Sequence, residues 1–116
     1  TALYEQRADP LKRDALGNTP LHLVTTIDDT DVQKELVIAL VGENNRFIGL
    51  LNTTNKVRET IVHRAVRRRQ KELLEFLLKT YRSKGHLNLA IENVEGYSPI
   101  ELARELGFDD IRSMLY

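Results

Sequence analysis

Three kinds of residue in this chain have the chemistry for a site: His22, His63 and His86, the acidic run Asp28-Asp29-Thr30-Asp31, and the triplet Arg67-Arg68-Arg69. Histidine titrates nearest neutrality and ligates metals, so a general base or a zinc site is the first reading to test. Both roles need a second group at a fixed spacing, and no two of these histidines share one helical face. Cysteine is absent, which removes thiolate zinc sites, a thiol nucleophile and disulfides together. The acidic run lacks the alternating ligands, central glycine and closing glutamate of a calcium-binding EF-hand loop. It reads instead as the N-terminal flank of a helix, where negative charge suits the helix dipole. The glycines are isolated, so no phosphate-cradling loop is visible. The sequence therefore predicts no catalytic, cofactor-binding or metal-ligating residue, and no cofactor.

The arginines leave more open. The formal net charge is zero, but residues 1–45 carry −4, residues 46–84 carry +8, and residues 85–116 carry −4. One reading makes Arg67–Arg69 a complement to a helix C-terminal dipole, with Arg69 and Lys71 simply solvated. The other makes Arg67 and Arg68 the centre of a basic cluster that pairs with carboxylates on another protein. Single-stranded nucleic acid calls for aromatic platforms among the cations. Tyr81 and Phe47 lie outside the cluster, and acidic ends repel a long duplex. A membrane surface calls for an exposed apolar face beside the charge, and Leu73 to Leu78 are needed to pack the fold. A protein partner with an acidic surface ranks first, nucleic acid second and membrane last.

The elements that must position these residues show as a repeat. "DALGNTPLHLV" from Asp14, "NKVRETIVHRAV" from Asn55 and "NVEGYSPIELA" from Asn93 share a polar turn, a Thr or Ser, and an apolar helix start. Thr19, Thr60 and Ser98 are N-cap residues whose side-chain oxygen can accept from a free N–H of the first turn. Pro20 and Pro99 follow directly, where a missing N–H costs nothing. A second helix follows each time, with apolar faces at Leu36, Val37, Leu40 and Val41, at Leu73, Leu74, Leu77 and Leu78, and at Ile111, Met114 and Leu115. One such pair cannot bury its apolar face alone, whereas stacked neighbours can. Apolar residues make up 41% of the 116, enough for the core of a single small domain.

The phrases Thr19-Pro20-Leu21-His22-Leu23-Val24, Thr60-Ile61-Val62-His63-Arg64-Ala65 and Ser98-Pro99-Ile100-Glu101-Leu102-Ala103 resemble the T-P-L-H-x-A signature of the ankyrin repeat family, whose unit runs to about 33 residues. The resemblance covers nearly the whole chain. It implies an all-α solenoid of helix-turn-helix units with hairpin-like loops. Residues 1–13 would end an upstream repeat, with Leu3-Tyr4 closing its helix and Ala8-Asp9 leading to the next turn. Residues 14–54 and 55–92 would form repeats with insertions, and residues 93–116 a C-terminal repeat ending near Tyr116. More sequence is expected before Thr1. Extra residues fall near 25–31, 42–49 and 79–92. Arg58 stands where the other turns have Gly17 and Gly96, which predicts an altered turn.

What the resemblance implies about function is a non-catalytic, monomeric protein-interaction module in the cytoplasm or nucleus. His22 and His63, with Thr19 and Thr60, would be scaffold. Partner contacts would come from the turn tips, Leu16, Asn18, Lys56, Val57, Glu59, Val94, Glu95 and Tyr97, and from Arg67, Arg68 and Glu105 on the groove floor. Both arginines are expected outside the core, so that reversing their charge should leave folding intact. The phrases "GNTPLHL" and "LLNTTNKVRETIVHRAV" are also similar to repeats of the inhibitors of Rel/NF-kappa-B transcription factors, including viral mimics. That implies an inhibitor docking on a transcription-factor dimer. The alternatives are an ankyrin segment of a larger signalling, channel or effector protein, and a basic-groove nucleic-acid binder. No apolar run reaches the roughly 20 residues that span a bilayer. Asn52-Thr53-Thr54 spells a glycosylation acceptor, read as coincidence because no secretory signal precedes it.

Overall fold

The capping residues start helices where the sequence places them. The computed structural model describes residues 12–115, so the readings at Leu3-Tyr4, Ala8-Asp9 and Tyr116 lie outside the described residues. Among the described residues six α-helices run in order: α1 (Pro20–Leu23), α2 (Thr30–Val41), α3 (Ile61–Arg67), α4 (Lys71–Thr80), α5 (Pro99–Glu105) and α6 (Asp109–Leu115). There is no strand among the described residues, and the fold is all-α. The Asp29 carboxylate caps α2, accepting from the N–H groups of Asp31 at 2.9 Å and Val32 at 3.3 Å. The acidic run is therefore a helix flank. Helices α3 and α5 start on Thr60 and Ser98, whose oxygens accept from the N–H groups of His63 and Glu101, each at 3.4 Å.

Packing follows from the apolar spacing. Helices α1, α3 and α5 form one row, and α2, α4 and α6 form a second row behind it. The core lies between the rows. Leu21, Ile61, Val62 and Leu102 enter it from the first row, and Val37, Leu73, Leu77 and Ile111 from the second. Leu36, Leu78 and Met114 are only partly buried, at the edge of their faces. The stack measures 40 × 28 × 26 Å.

The segments after the second-row helices join this core and each other. Residues 42–52 form two 3-10 turns whose Leu50 and Leu51 are buried. Asn52 donates from Nδ2 to the His86 carbonyl at 3.1 Å and accepts the Asn88 N–H at 2.8 Å, tying this segment to the loop after α4. Both ends of the Asn52 amide are thus engaged within the fold.

Two expectations are corrected here. Arg58 does not alter its turn. It takes φ +61°, the left-handed conformation of Gly17 at +77° and Gly96 at +85°. Arg69 and Lys71 are not simply solvated. Helix α3 closes in a Schellman motif, with Arg69 N–H on the Val66 carbonyl at 3.0 Å and Gln70 N–H on the Ala65 carbonyl at 2.9 Å. That geometry holds Arg69 at φ +53°, where α5 closes on Gly107. The Arg69 guanidinium stacks over Phe108 at 4.9 Å and pairs with Asp110, which Lys71 also meets at 2.9 Å. The ammonium of Lys71 holds the Asp110 carboxyl below the usual range.

Candidate protein-docking surface

The surface is built from the three turns. Asp14, Asn55 and Asn93 open them, and each side-chain oxygen accepts two N–H groups of its own turn. They come from Leu16 and Asn18, Val57 and Glu59, and Glu95 and Tyr97, at 2.9–3.1 Å. Successive turns are bonded to each other through the backbone. Lys56 N–H donates to the Leu16 carbonyl and Val94 N–H to the Val57 carbonyl, both at 3.0 Å. A Cβ on Gly17 would sit 2.9 Å from the Lys56 nitrogen, so that joint requires glycine.

A second line of bonds runs beneath. The Asn55 amide donates to the Asn18 side-chain oxygen at 2.9 Å, and the Asn93 amide to the Glu59 carboxylate at 3.0 Å. Asn18 and Glu59, predicted as exposed tip contacts, are consequently buried, Glu59 to 3% exposure. This corrects their assignment: a side chain spent on the next turn has no atoms left for a partner. Leu16, Val57 and Val94 do stand in solvent, 67%, 48% and 58% exposed. Lys56 and Glu95 are exposed as well. Tyr97 is half-buried, and its hydroxyl donates to Glu105 at 3.1 Å, which raises the phenol's pKa.

His22 and His63 lie beneath these turns, each at most 1% exposed. Thr19 N–H donates to His22 Nδ1 at 3.0 Å, and Thr60 N–H to His63 Nδ1 at 3.1 Å. A nitrogen that accepts carries no proton, so each ring is the Nε2–H tautomer. The Nε2–H then donates to a carbonyl of the next turn, Glu59 for His22 at 2.8 Å and Tyr97 for His63 at 3.0 Å. Burial lowers both imidazole pKa values, the carbonyl bonds notwithstanding. Both ring nitrogens are occupied, which leaves neither for proton transfer or a ligand. Glu101 does the capping half of this work in the third unit, accepting Ser98 N–H at 3.1 Å.

The arginines of α3 form the groove. Arg64, Arg67 and Arg68 line an open depression of about 250 Å³. Arg64 Nε donates to the His22 carbonyl and the Thr25 hydroxyl, both at 3.2 Å. Arg67 is neutralised within the fold. Its Nε and Nη2 clasp the Glu59 carboxylate at 2.6–3.0 Å, and Nη2 also meets Glu95 at 3.0 Å. Burial pushes the Glu59 carboxyl up, but the bonds from Arg67 and Asn93 outweigh it and hold the group below the usual range. Arg68 is exposed, with no ion pair among the described residues. The expectation that both arginines are dispensable for folding is corrected for Arg67, because removing it strands a buried carboxylate. Arg64 belongs to the groove and was not among the predicted site residues. Its place one turn before Arg67 and Arg68 on the same helix was the available signal.

No family model matches this chain, and no curated protein does. The likeness is to solved structures. One chain of the crystal structure of the yeast ribosomal protein Rps3 in complex with its chaperone Yar1 superposes with a TM-score of 0.70, over 97% of this chain and 77% of that chain, at 16% identity. At that identity the likeness is one of fold. Among the described residues there is no cluster of three metal-binding side chains, and no helix is long and apolar enough to cross a membrane.

Proposed function

We propose that this chain is a non-catalytic docking module of the ankyrin repeat type, whose groove receives an acidic segment of a partner protein. The observation that carries the reading is that three guanidinium groups, Arg64, Arg67 and Arg68, line one open groove. The Arg67–Glu95 contact connects that groove to the turn tips, where Leu16, Val57 and Val94 offer apolar anchors. The repeat type is supported by the phrase around each capping Thr or Ser and by the two rows of helices. The like-folded chain comes from a complex of two proteins, which fits a fold used for docking. A guanidinium with no internal ion pair, such as that of Arg68, matches a carboxylate in a planar pair, and the shortage of aromatic groups beside the arginines disfavours bases.

The test is a titration with hexaglutamate at low salt, followed by NMR on the arginine side chains. Arg68→Glu is the decisive variant, because Arg68 has no ion-pair partner among the described residues whose loss would disturb the fold. The variant should keep the wild-type melting midpoint and lose most of the hexaglutamate response. Equal binding by wild type and variant refutes the reading. So does tight, steeply salt-dependent binding to random-sequence RNA or DNA that the variant abolishes.

A further inference from the structure

We infer that Arg58, on the second turn, is a further partner-contacting residue of this docking surface, binding a carboxylate of the docked segment; the inference rests on the docking reading above. Its backbone is the first reason. Arg58 holds φ +61°, and the equivalent positions are the glycines Gly17 and Gly96. The three turns close identically at this residue, with N–H bonds from Gly17 to Asp14, Arg58 to Asn55 and Gly96 to Asn93 at 2.9–3.0 Å. A Cβ in the left-handed region is disfavoured, so glycine is the residue this turn prefers.

Arg69 shows what compensation looks like. It too holds a positive φ, at a site where the next unit uses Gly107, and its guanidinium stacks on Phe108 and pairs with Asp110. Arg58 has no such return. Its side chain is exposed and has no hydrogen bond, ion pair or ring contact among the described residues. A strained position with no internal compensation points outward, to a contact made only in a complex. The charges around it are mixed. Lys56 is exposed on the same turn, and Glu59, next in the chain, holds Arg67 of the groove. The Glu59 charge is already taken up by Arg67, which leaves Lys56 and Arg58 as the exposed cations of this turn.

Arg58→Gly separates strain from contact, because the two effects carry opposite signs. In the hexaglutamate titration, Arg58→Gly should weaken binding about two- to fivefold, the size of one exposed ion pair. Its melting midpoint should rise by about 3–5 °C as the strained Cβ is removed. Arg58→Lys keeps the charge and should restore affinity without raising the midpoint. An Arg58→Gly variant that binds as the wild type does, or whose midpoint fails to rise, overturns the inference. If Arg68→Glu still abolishes binding in that case, the docking reading stands and only the role of Arg58 falls. If Arg68→Glu binds normally, the docking reading itself has failed.

Discussion

Replacing His63 should show how much one ring contributes by bonding in two directions. Its Nδ1 accepts Thr60 N–H within its own unit, and its Nε2–H donates to the Tyr97 carbonyl of the next. The ring is fully buried, so cutting these bonds strands a buried N–H and a part-buried carbonyl. Each stranded buried group costs about 1–3 kcal/mol, and the vacated ring volume adds to that. His63→Ala should therefore cost about 3–5 kcal/mol in total. His63→Gln is the informative comparison. A glutamine three residues after the N-cap can still accept the cap N–H, as Glu101 does from Ser98, but a chain that bends back to the cap does not also reach the next turn. It should cost about 1–2 kcal/mol, the price of one unmet carbonyl and imperfect packing. In urea unfolding the three proteins should have midpoints in the order wild type, Gln, Ala, with similar slopes. Equal losses for Gln and Ala would show that the cap bond adds nothing. A wild-type midpoint for Ala would refute the scaffold role altogether.

Acid should destabilise the fold in two stages. The histidine pKa values are depressed from 6.5 in the fold, so their stabilisation is complete above that value and is lost as pH falls below it. Glu59 is depressed from 4.5, so its share disappears below that pH. Melting midpoints measured from pH 8 down to pH 3 should fall in that sequence, and a flat profile between neutrality and pH 5 would contradict the neutral-ring assignment. Arg67→Gln should cost about 2–3 kcal/mol, less than a fully buried broken pair because the arginine side chain is 39% exposed. Adding Glu59→Gln should recover part of that loss in thermal unfolding, and strict additivity of the two changes would mean the pair is not coupled.

The sequence shows what is decided within one unit. Thr60 and Ser98 cap helices through atoms three residues away, and the apolar spacing of Leu73, Leu74 and Leu77 marks the face that packs, so both are legible in a short window. What crosses between units is not. Asn18 and Glu59 look like loop residues because the amides that bury them, on Asn55 and Asn93, lie 37 and 34 positions further on. Arg67 looks free because Glu59, eight positions before it, lies on the turn rather than on its helix, and Glu95 is 28 positions away. Arg69 looks like surface charge until Phe108 and Asp110 are brought beneath it. The Arg58 turn keeps its shape for a reason that lies in the backbone. Backbone bonds shared by three equivalent turns impose the left-handed conformation whatever side chain occupies it.

The histidine joints address the neighbouring unit only through peptide oxygens, those of Glu59 and Tyr97. A glutamate and a tyrosine serve equally because neither side chain takes part in the bond. The joint is blind to sequence at the residue it grips. The identity of each gripped residue is set instead by its other contacts, Glu59 by Arg67 and Asn93 and Tyr97 by Glu105. The grip ties neighbouring units together, and the choice of side chain at the gripped position answers to those separate contacts.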